Sequence, residues 1–179
     1  MAYLILVTGG ARSGKSDYAL TRAESLSGKH YFLATCPVVD SEMDERITRH
    51  KRERQAGIWH TIEEEIAIDT TLSDLDSESI CLIDCLTLWV NNCMYAAEKS
   101  SKPFGEDEMT HRAEEFIEAA KHFNGTLICV TNEVGMGVVP DNPLARRYRD
   151  LVGRSNRMIA AAANEVILVS CGLPLVLKN

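Results

Sequence analysis

Apolar residues gather in short runs separated by longer stretches with helical spacing. Residues 3–8, 30–35, 79–84, 126–131 and 165–170 are almost continuously apolar, which is the pattern of strands buried on both faces. Residues 175–177 form a shorter apolar run after the turn Cys171-Gly172-Leu173-Pro174. Between the runs, apolar positions recur at three and four residues. Tyr18, Ala19, Ala23 and Leu26 mark a helix over 16–26, and Leu86, Trp89, Val90, Cys93 and Met94 mark one over 86–97. Met109, Ala113, Phe116, Ile117 and Ala120 mark a third over 106–123. A long helix is expected over 143–163, with Asn142 as its cap, Pro143 in its first turn, and Leu144, Tyr148, Leu151, Ser155 and Ile159 facing the fold. Residues 42–54 are strongly charged with helical spacing, 99–105 read as a loop, and 59–68 fit no single pattern.

Strands alternating with helices define an α/β fold with a mostly parallel central sheet covered by helices. In such a sheet the ligand lies beyond the carboxyl ends of the strands. A length of 179 residues fits one domain over 1–179. The formal net charge of -7 disfavours a broad nucleic-acid or anionic-membrane face. No run approaches the roughly 20 apolar residues that span a bilayer, so stable membrane insertion is not expected. The N-terminus reads directly as a strand rather than as a targeting leader, and a cytoplasmic location is expected. Cys81, Cys129 and Cys171 lie in apolar runs where a thiol packs as a small hydrophobe, and Cys36, Cys85 and Cys93 make no zinc spacing.

The candidate chemistry begins directly after the first run. Gly9-Gly10-Ala11-Arg12-Ser13-Gly14-Lys15-Ser16 matches G-x-x-x-x-G-K-[ST] between a strand and a helix. Gly9, Gly10 and Gly14 permit the unusual backbone paths by which consecutive N–H groups surround phosphate oxygens. The helix N-terminus adds favourable partial charge. Lys15 is expected to reach the β- and γ-phosphates, Ser16 to give its hydroxyl to Mg2+, and Arg12 to lie near phosphate. Asp84, closing the run 79–84, can bind the same magnesium or cap the helix that follows.

Within 42–54, Arg46, His50 and Arg54 are spaced by four, which on a helix sets successive members only ~40° apart. The stripe is either a solvated helix face or a phosphate-facing patch. In the second case His50 is a base or a covalent nucleophile. Periodicity does not separate it from His60, His111 or His122. Arg146, Arg147, Arg149, Arg154 and Arg157 offer a second anion surface or, equally, a charged exterior with ion pairs.

Several stretches taken together carry a more specific signal. The phosphate loop is followed by Asp40-Ser41-Glu42-Met43, then Arg46-Ile47 with His50 and Arg54, then Asp84-Cys85-Leu86-Thr87. Thr131-Asn132-Glu133-Val134-Gly135-Met136-Gly137 comes next, and Arg146, Arg149, Asp150, Gly153 and Asn156 close the series. In this order the chain resembles, over nearly all its length, the bifunctional adenosylcobinamide kinase and adenosylcobinamide-phosphate guanylyltransferase family of cobalamin biosynthesis. The resemblance implies a P-loop fold, a homotrimer and two reactions. ATP or GTP would phosphorylate adenosylcobinamide, and GTP would then give GMP to adenosylcobinamide-phosphate. It places guanylylation on His50, through a His50–GMP phosphoramidate. Glu133, in the glycine-rich stretch, would orient a substrate hydroxyl or metal-bound water, or simply bond within its loop. Arg157 stands where the family pattern often has glutamine.

Three other functions fit the phosphate loop alone: a simple small-molecule P-loop kinase, a nucleotide-dependent switch or binding protein, and a structural nucleotide-binding subunit. The switch reading loses weight because no N-K-x-D guanine-recognition element is present.

Overall fold

The structure, a computed structural model, describes residues 2–37 and 58–179. Strands β1 (Tyr3–Thr8), β2 (His30–Ala34), β3 (Trp59–Glu63), β4 (Ser79–Asp84), β5 (Gly125–Val130), β6 (Glu165–Ser170) and β7 (Leu173–Lys178) form one sheet in the order β3-β2-β4-β5-β1-β6-β7. The β6–β7 pair is antiparallel and every other pair is parallel. Asp84 pairs with Ala34 on one side and Val130 on the other, and Val130 pairs with Val7. The carboxyl ends of β2, β4, β5 and β1 therefore finish level along one edge.

Strand alternation divides the core between the two faces of the sheet. Ile5, Val7, Phe32, Leu82, Ile128 and Val130 point to the face covered by α1 (Lys15–Glu24). That helix approaches closely because the side chains it buries are Ala19 and Ala23. Leu4, Leu6, Leu33, Ile83, Leu127 and Cys129 point to the opposite face. There they meet α2 (Ile68–Ser73), α3 (Leu86–Lys99), α4 (Glu106–His122) and α5 (Pro143–Ala162). Trp89 of α3 and Phe116 of α4 are fully buried with ring centroids 5.9 Å apart, and they anchor this larger layer.

The expected elements that fall within the described residues are found with end shifts of at most two residues. Asn142 caps α5, its Oδ1 accepting from the backbone N–H groups of Leu144 (2.8 Å) and Ala145 (3.2 Å). The ambiguous stretch 59–68 resolves into β3 and the start of α2. The terminal apolar run is longer than the pattern indicates, because Leu173 and Pro174 belong to β7 and only Cys171 and Gly172 turn the chain. Two further expectations are corrected. Leu144 is exposed, since it sits in the first turn of α5 before the helix reaches the core. Cys171 is also exposed, at the β6–β7 turn with φ 52°, rather than packed in a strand. The expected helix over 42–54 lies outside the described residues. No helix among the described residues is long and apolar enough to cross a membrane.

Candidate active site

The phosphate loop leaves β1 at the level edge of the sheet. Gly14, the residue before α1, has φ 90°, and a Cβ there would lie 3.2 Å from Gly172 Cα, so both backbone and space favour glycine. A Cβ on Gly9 would stand 2.4 Å from the Val169 carbonyl oxygen and 2.6 Å from Ser13 Oγ, so a side chain there requires the loop or β6 to move. Gly10 differs: a Cβ there meets nothing within 4 Å, so its glycine is not required by space. Arg12 is exposed with φ 56° at the tip. The β6–β7 turn supports the loop from outside, where Gly172 N–H donates to Ser13 O at 2.8 Å. Lys15 Nζ donates to Gly10 O at 3.2 Å, which folds the ammonium back over the loop it follows. Ser16 is the second residue of α1 and half-buried.

Asp84 ends β4. The helix cap alternative is not realised, since the residue in the cap position of α3 is Cys85 and the helix has no side-chain cap bond. Burial first, and then the neighbouring Asp84 carboxylate, push the Cys85 thiol up to about 12, with the Lys15 ammonium acting in the opposite direction. One buried sulfur thus feels both the end of β4 and the phosphate loop. Glu133 follows β5. Its backbone N–H donates to Gly9 O at 3.0 Å, and its Oε1 accepts from Gly135 N–H at 2.7 Å. The loop-bonding alternative for its carboxylate is therefore present in the structure.

Behind these ends lies a buried polar network that the sequence pattern does not announce. Thr35 Oγ1 donates to Cys85 O and accepts from Cys85 N–H, both at 2.8 Å. Asn92 Nδ2 reaches the carbonyls of Thr35 (2.8 Å) and Glu65 (3.1 Å). Thr87 Oγ1 accepts from Asn132 N–H at 2.6 Å and lies 3.2 Å from Thr131 Oγ1. Thr131 Oγ1 donates to Asn156 Oδ1 at 2.7 Å, and Asn156 Nδ2 donates to Asn132 O at 3.1 Å. Tyr148 donates from its hydroxyl to Thr87 O at 3.2 Å, and burial raises its own ionisation to about 12. Buried polar groups that satisfy one another in this way fix backbone positions. The available signal was a set of polar residues ending apolar runs and interrupting helix faces: Thr35, Thr87, Asn92, Thr131 and Asn156.

The structure thus brings Gly9–Ser16, Asp84 and Glu133 to the ends of three adjacent strands, β1, β4 and β5. Arg46, His50 and Arg54 lie outside the described residues. The other histidines singled out are exposed: His60 lies against Tyr31, and His111 and His122 pair with Glu115 and Glu118. Among the late arginines, Arg146 donates to the carbonyls of Pro140 (2.9 Å) and Asp141 (2.7 Å), Arg149 pairs with Asp150, and Arg154 pairs with Glu106. All three are engaged within the chain, Arg149 and Arg154 in ion pairs as the second alternative expects, while Arg147 and Arg157 are exposed.

Thiol chemistry separates the six cysteines, none of which is in a disulfide. Burial raises Cys81 to about 12, Cys93 to about 11 and Cys129 well above its ordinary value. Because the thiolate is the reactive form, native protein treated with iodoacetamide near pH 8 is expected to alkylate first at Cys171. Cys81, Cys85 and Cys129 should label only on unfolding, as read by peptide mass spectrometry.

A glycine loop between β1 and α1, at the level carboxyl edge of a largely parallel sheet, defines a P-loop nucleotide-binding protein. Solved structures agree on the fold. A prototypical ATPase from the type III secretion system of pathogenic bacteria superposes with a TM-score of 0.61 at 12% identity, over 97% of this chain and 56% of that one. The ATPase EscN of enteropathogenic E. coli gives 0.58 at 12%, over 95% and 43%. Sequence comparison is more specific. The family model for cobinamide kinase / cobinamide phosphate guanyltransferase matches residues 5–177, and the chain is an enzyme of that family. The bifunctional adenosylcobalamin biosynthesis protein CobU of Salmonella typhimurium is 40% identical over 98% of this chain and 99% of its own length. CobU of Escherichia coli K12 is 37% identical over the same shares, and CobP of Pseudomonas aeruginosa is 36% identical over 97% and 96%.

Proposed function

We propose that this protein phosphorylates the hydroxyl of the aminopropanol arm of adenosylcobinamide, with ATP or GTP as donor, and then guanylylates the product. In the second reaction a ring nitrogen of His50 attacks the α-phosphorus of GTP, breaking the α–β bond and releasing pyrophosphate. A phosphate oxygen of adenosylcobinamide-phosphate then attacks the His50–GMP phosphorus, breaking the P–N bond. This yields adenosylcobinamide-GDP and free histidine. The observation that carries the kinase half is the convergence of the phosphate loop, Asp84 and Glu133 at three adjacent strand ends. Membership of the family supports the pairing of the two reactions.

Phosphoryl transfer depends mainly on position and charge stabilisation. The amides of residues 9–16 and the Lys15 ammonium take the phosphate charge, with Arg12 exposed at the loop tip as a further cation. Ser16 and Asp84 supply two hard oxygen donors, a hydroxyl and a carboxylate. A short donor set of this kind suits Mg2+, which keeps waters and is completed by substrate phosphates. Bound there, magnesium neutralises developing phosphate charge. Glu133 orients the acceptor hydroxyl, and Arg46 and Arg54, each four positions from His50 in the sequence, receive the GTP phosphates.

The reading includes a cytoplasmic homotrimer with no nucleic-acid partner. The exposed apolar side chains of the outer strand β7, Leu173, Leu175, Val176 and Leu177, support a subunit contact. The test is a product assay with γ-labelled ATP, magnesium and adenosylcobinamide, followed by unlabelled GTP. Label is expected first in a monophosphorylated corrinoid and then, retained, in adenosylcobinamide-GDP. Label released only as inorganic phosphate contradicts the proposal.

A further inference from the structure

We propose that Asn132 is a catalytic residue of phosphoryl transfer, donating a hydrogen bond from its side-chain amide to an oxygen of the γ-phosphoryl group as that group leaves the nucleotide. The inference rests on the kinase reading above and adds a residue to it.

Position is the first argument. β5 lies between β1, which carries the phosphate loop, and β4, which carries Asp84, and Val130 pairs with Val7 on one side and Asp84 on the other. The ladder to β1 continues past the strand, since Thr131 N–H donates to Val7 O at 2.9 Å and Glu133 N–H to Gly9 O at 3.0 Å. Asn132 is therefore held in extended backbone between the two halves of the site. Alternation gives its face. Val130 packs on the α1 side, and Thr131 turns to Thr87 and Asn156 on the opposite side. Asn132 returns to the side of α1, from whose N-terminus the phosphate loop opens.

Rigidity is the second argument. Its backbone is held at both polar atoms: the N–H by Thr87 Oγ1 at 2.6 Å and the C=O by Asn156 Nδ2 at 3.1 Å. Thr35, Thr87, Asn92, Thr131, Glu133 and Asn156 all use their side chains within the protein. The half-buried Asn132 amide makes no hydrogen bond among the described residues. A neutral donor, fixed by its backbone and uncommitted at its tip, is suited to stabilising charge that develops on phosphate, because it needs no reorganisation.

The experiment uses full-length Asn132→Ala and Asn132→Asp, assayed for phosphate transfer to adenosylcobinamide. Alongside, binding of ADP and of a methylene-bridged ATP analogue is measured without acceptor. Turnover should fall on the order of 10²-fold in both variants, with nucleotide KM little changed in Asn132→Ala. In Asn132→Asp, the preference for the triphosphate analogue over ADP should fall about tenfold or more, because a carboxylate replaces the donor. ADP affinity and thermal stability should match the wild type, since the side chain makes no hydrogen bond among the described residues. Wild-type turnover with an unchanged preference overturns the role, and so does parallel loss of ADP binding and stability. If the wild type transfers nothing to adenosylcobinamide while Asn132→Asp still loses triphosphate preference, the acceptor assignment fails and the contact to the γ-phosphoryl group stands.

Discussion

Replacing Lys15 by alanine is expected to lower phosphate transfer to adenosylcobinamide by on the order of 10³-fold while leaving the fold intact. Lys15 is the first residue of α1, half-buried, with its ammonium laid back on Gly10 O at 3.2 Å. It belongs to the loop whose amides would surround the phosphates, and transition-state charge spreads over the γ-phosphoryl oxygens these groups face. Removing one such donor commonly costs 10²- to 10³-fold. Alanine is a strong helix former and Lys15 fills no core position, so the melting temperature should hardly move. Lys15→Arg should recover little, because a planar guanidinium does not take the place of a compact ammonium folded over a tight loop. The checks are steady-state turnover and thermal unfolding of both variants. Wild-type turnover in Lys15→Ala removes the phosphate loop from the chemistry.

The second large effect is a separation of the two reactions. His50→Ala should abolish GMP transfer by on the order of 10⁴-fold or more, as losing a covalent nucleophile generally does. The same protein should still phosphorylate adenosylcobinamide, so adenosylcobinamide-phosphate accumulates in a mixture containing both nucleotides. Chromatography of the corrinoid products resolves the three species. Formation of adenosylcobinamide-GDP at the wild-type rate by this variant contradicts a covalent route through His50. Loss of both reactions together contradicts the division of labour and points to a shared role for the residue.

Much of this arrangement is legible in the chain because the strong physical signals are local. The five longer apolar runs become parallel strands because they bury both faces, and the glycine motif falls where its spacing places it, between β1 and α1. Asp84 and Glu133 are readable as strand-end residues, and the register then sets them beside the loop. Other features depend on tertiary context. β3 and α2 are short, and β3 is a half-exposed edge strand whose periodicity is too weak to separate from a helix. β7 is exposed along its length and takes its form from pairing with β6. Cys171 sits in an apolar stretch yet occupies a turn, because Gly172 beside it takes φ 78° and reverses the chain. The network of Thr35, Thr87, Asn92, Thr131 and Asn156 joins residues as far as 57 positions apart, so no local pattern contains it. Asn132 is inconspicuous for the same reason, since its significance comes from lying between two strands that are distant in sequence.

The most direct measurement incubates the protein with magnesium and α-labelled GTP, quenches over time, and maps the label by peptide mass spectrometry. The account predicts a GMP adduct on His50 that disappears on adding adenosylcobinamide-phosphate as labelled adenosylcobinamide-GDP appears. Labelled adenosylcobinamide-GDP forming with no histidine adduct at any time point, under conditions where GTP binding is verified, contradicts it.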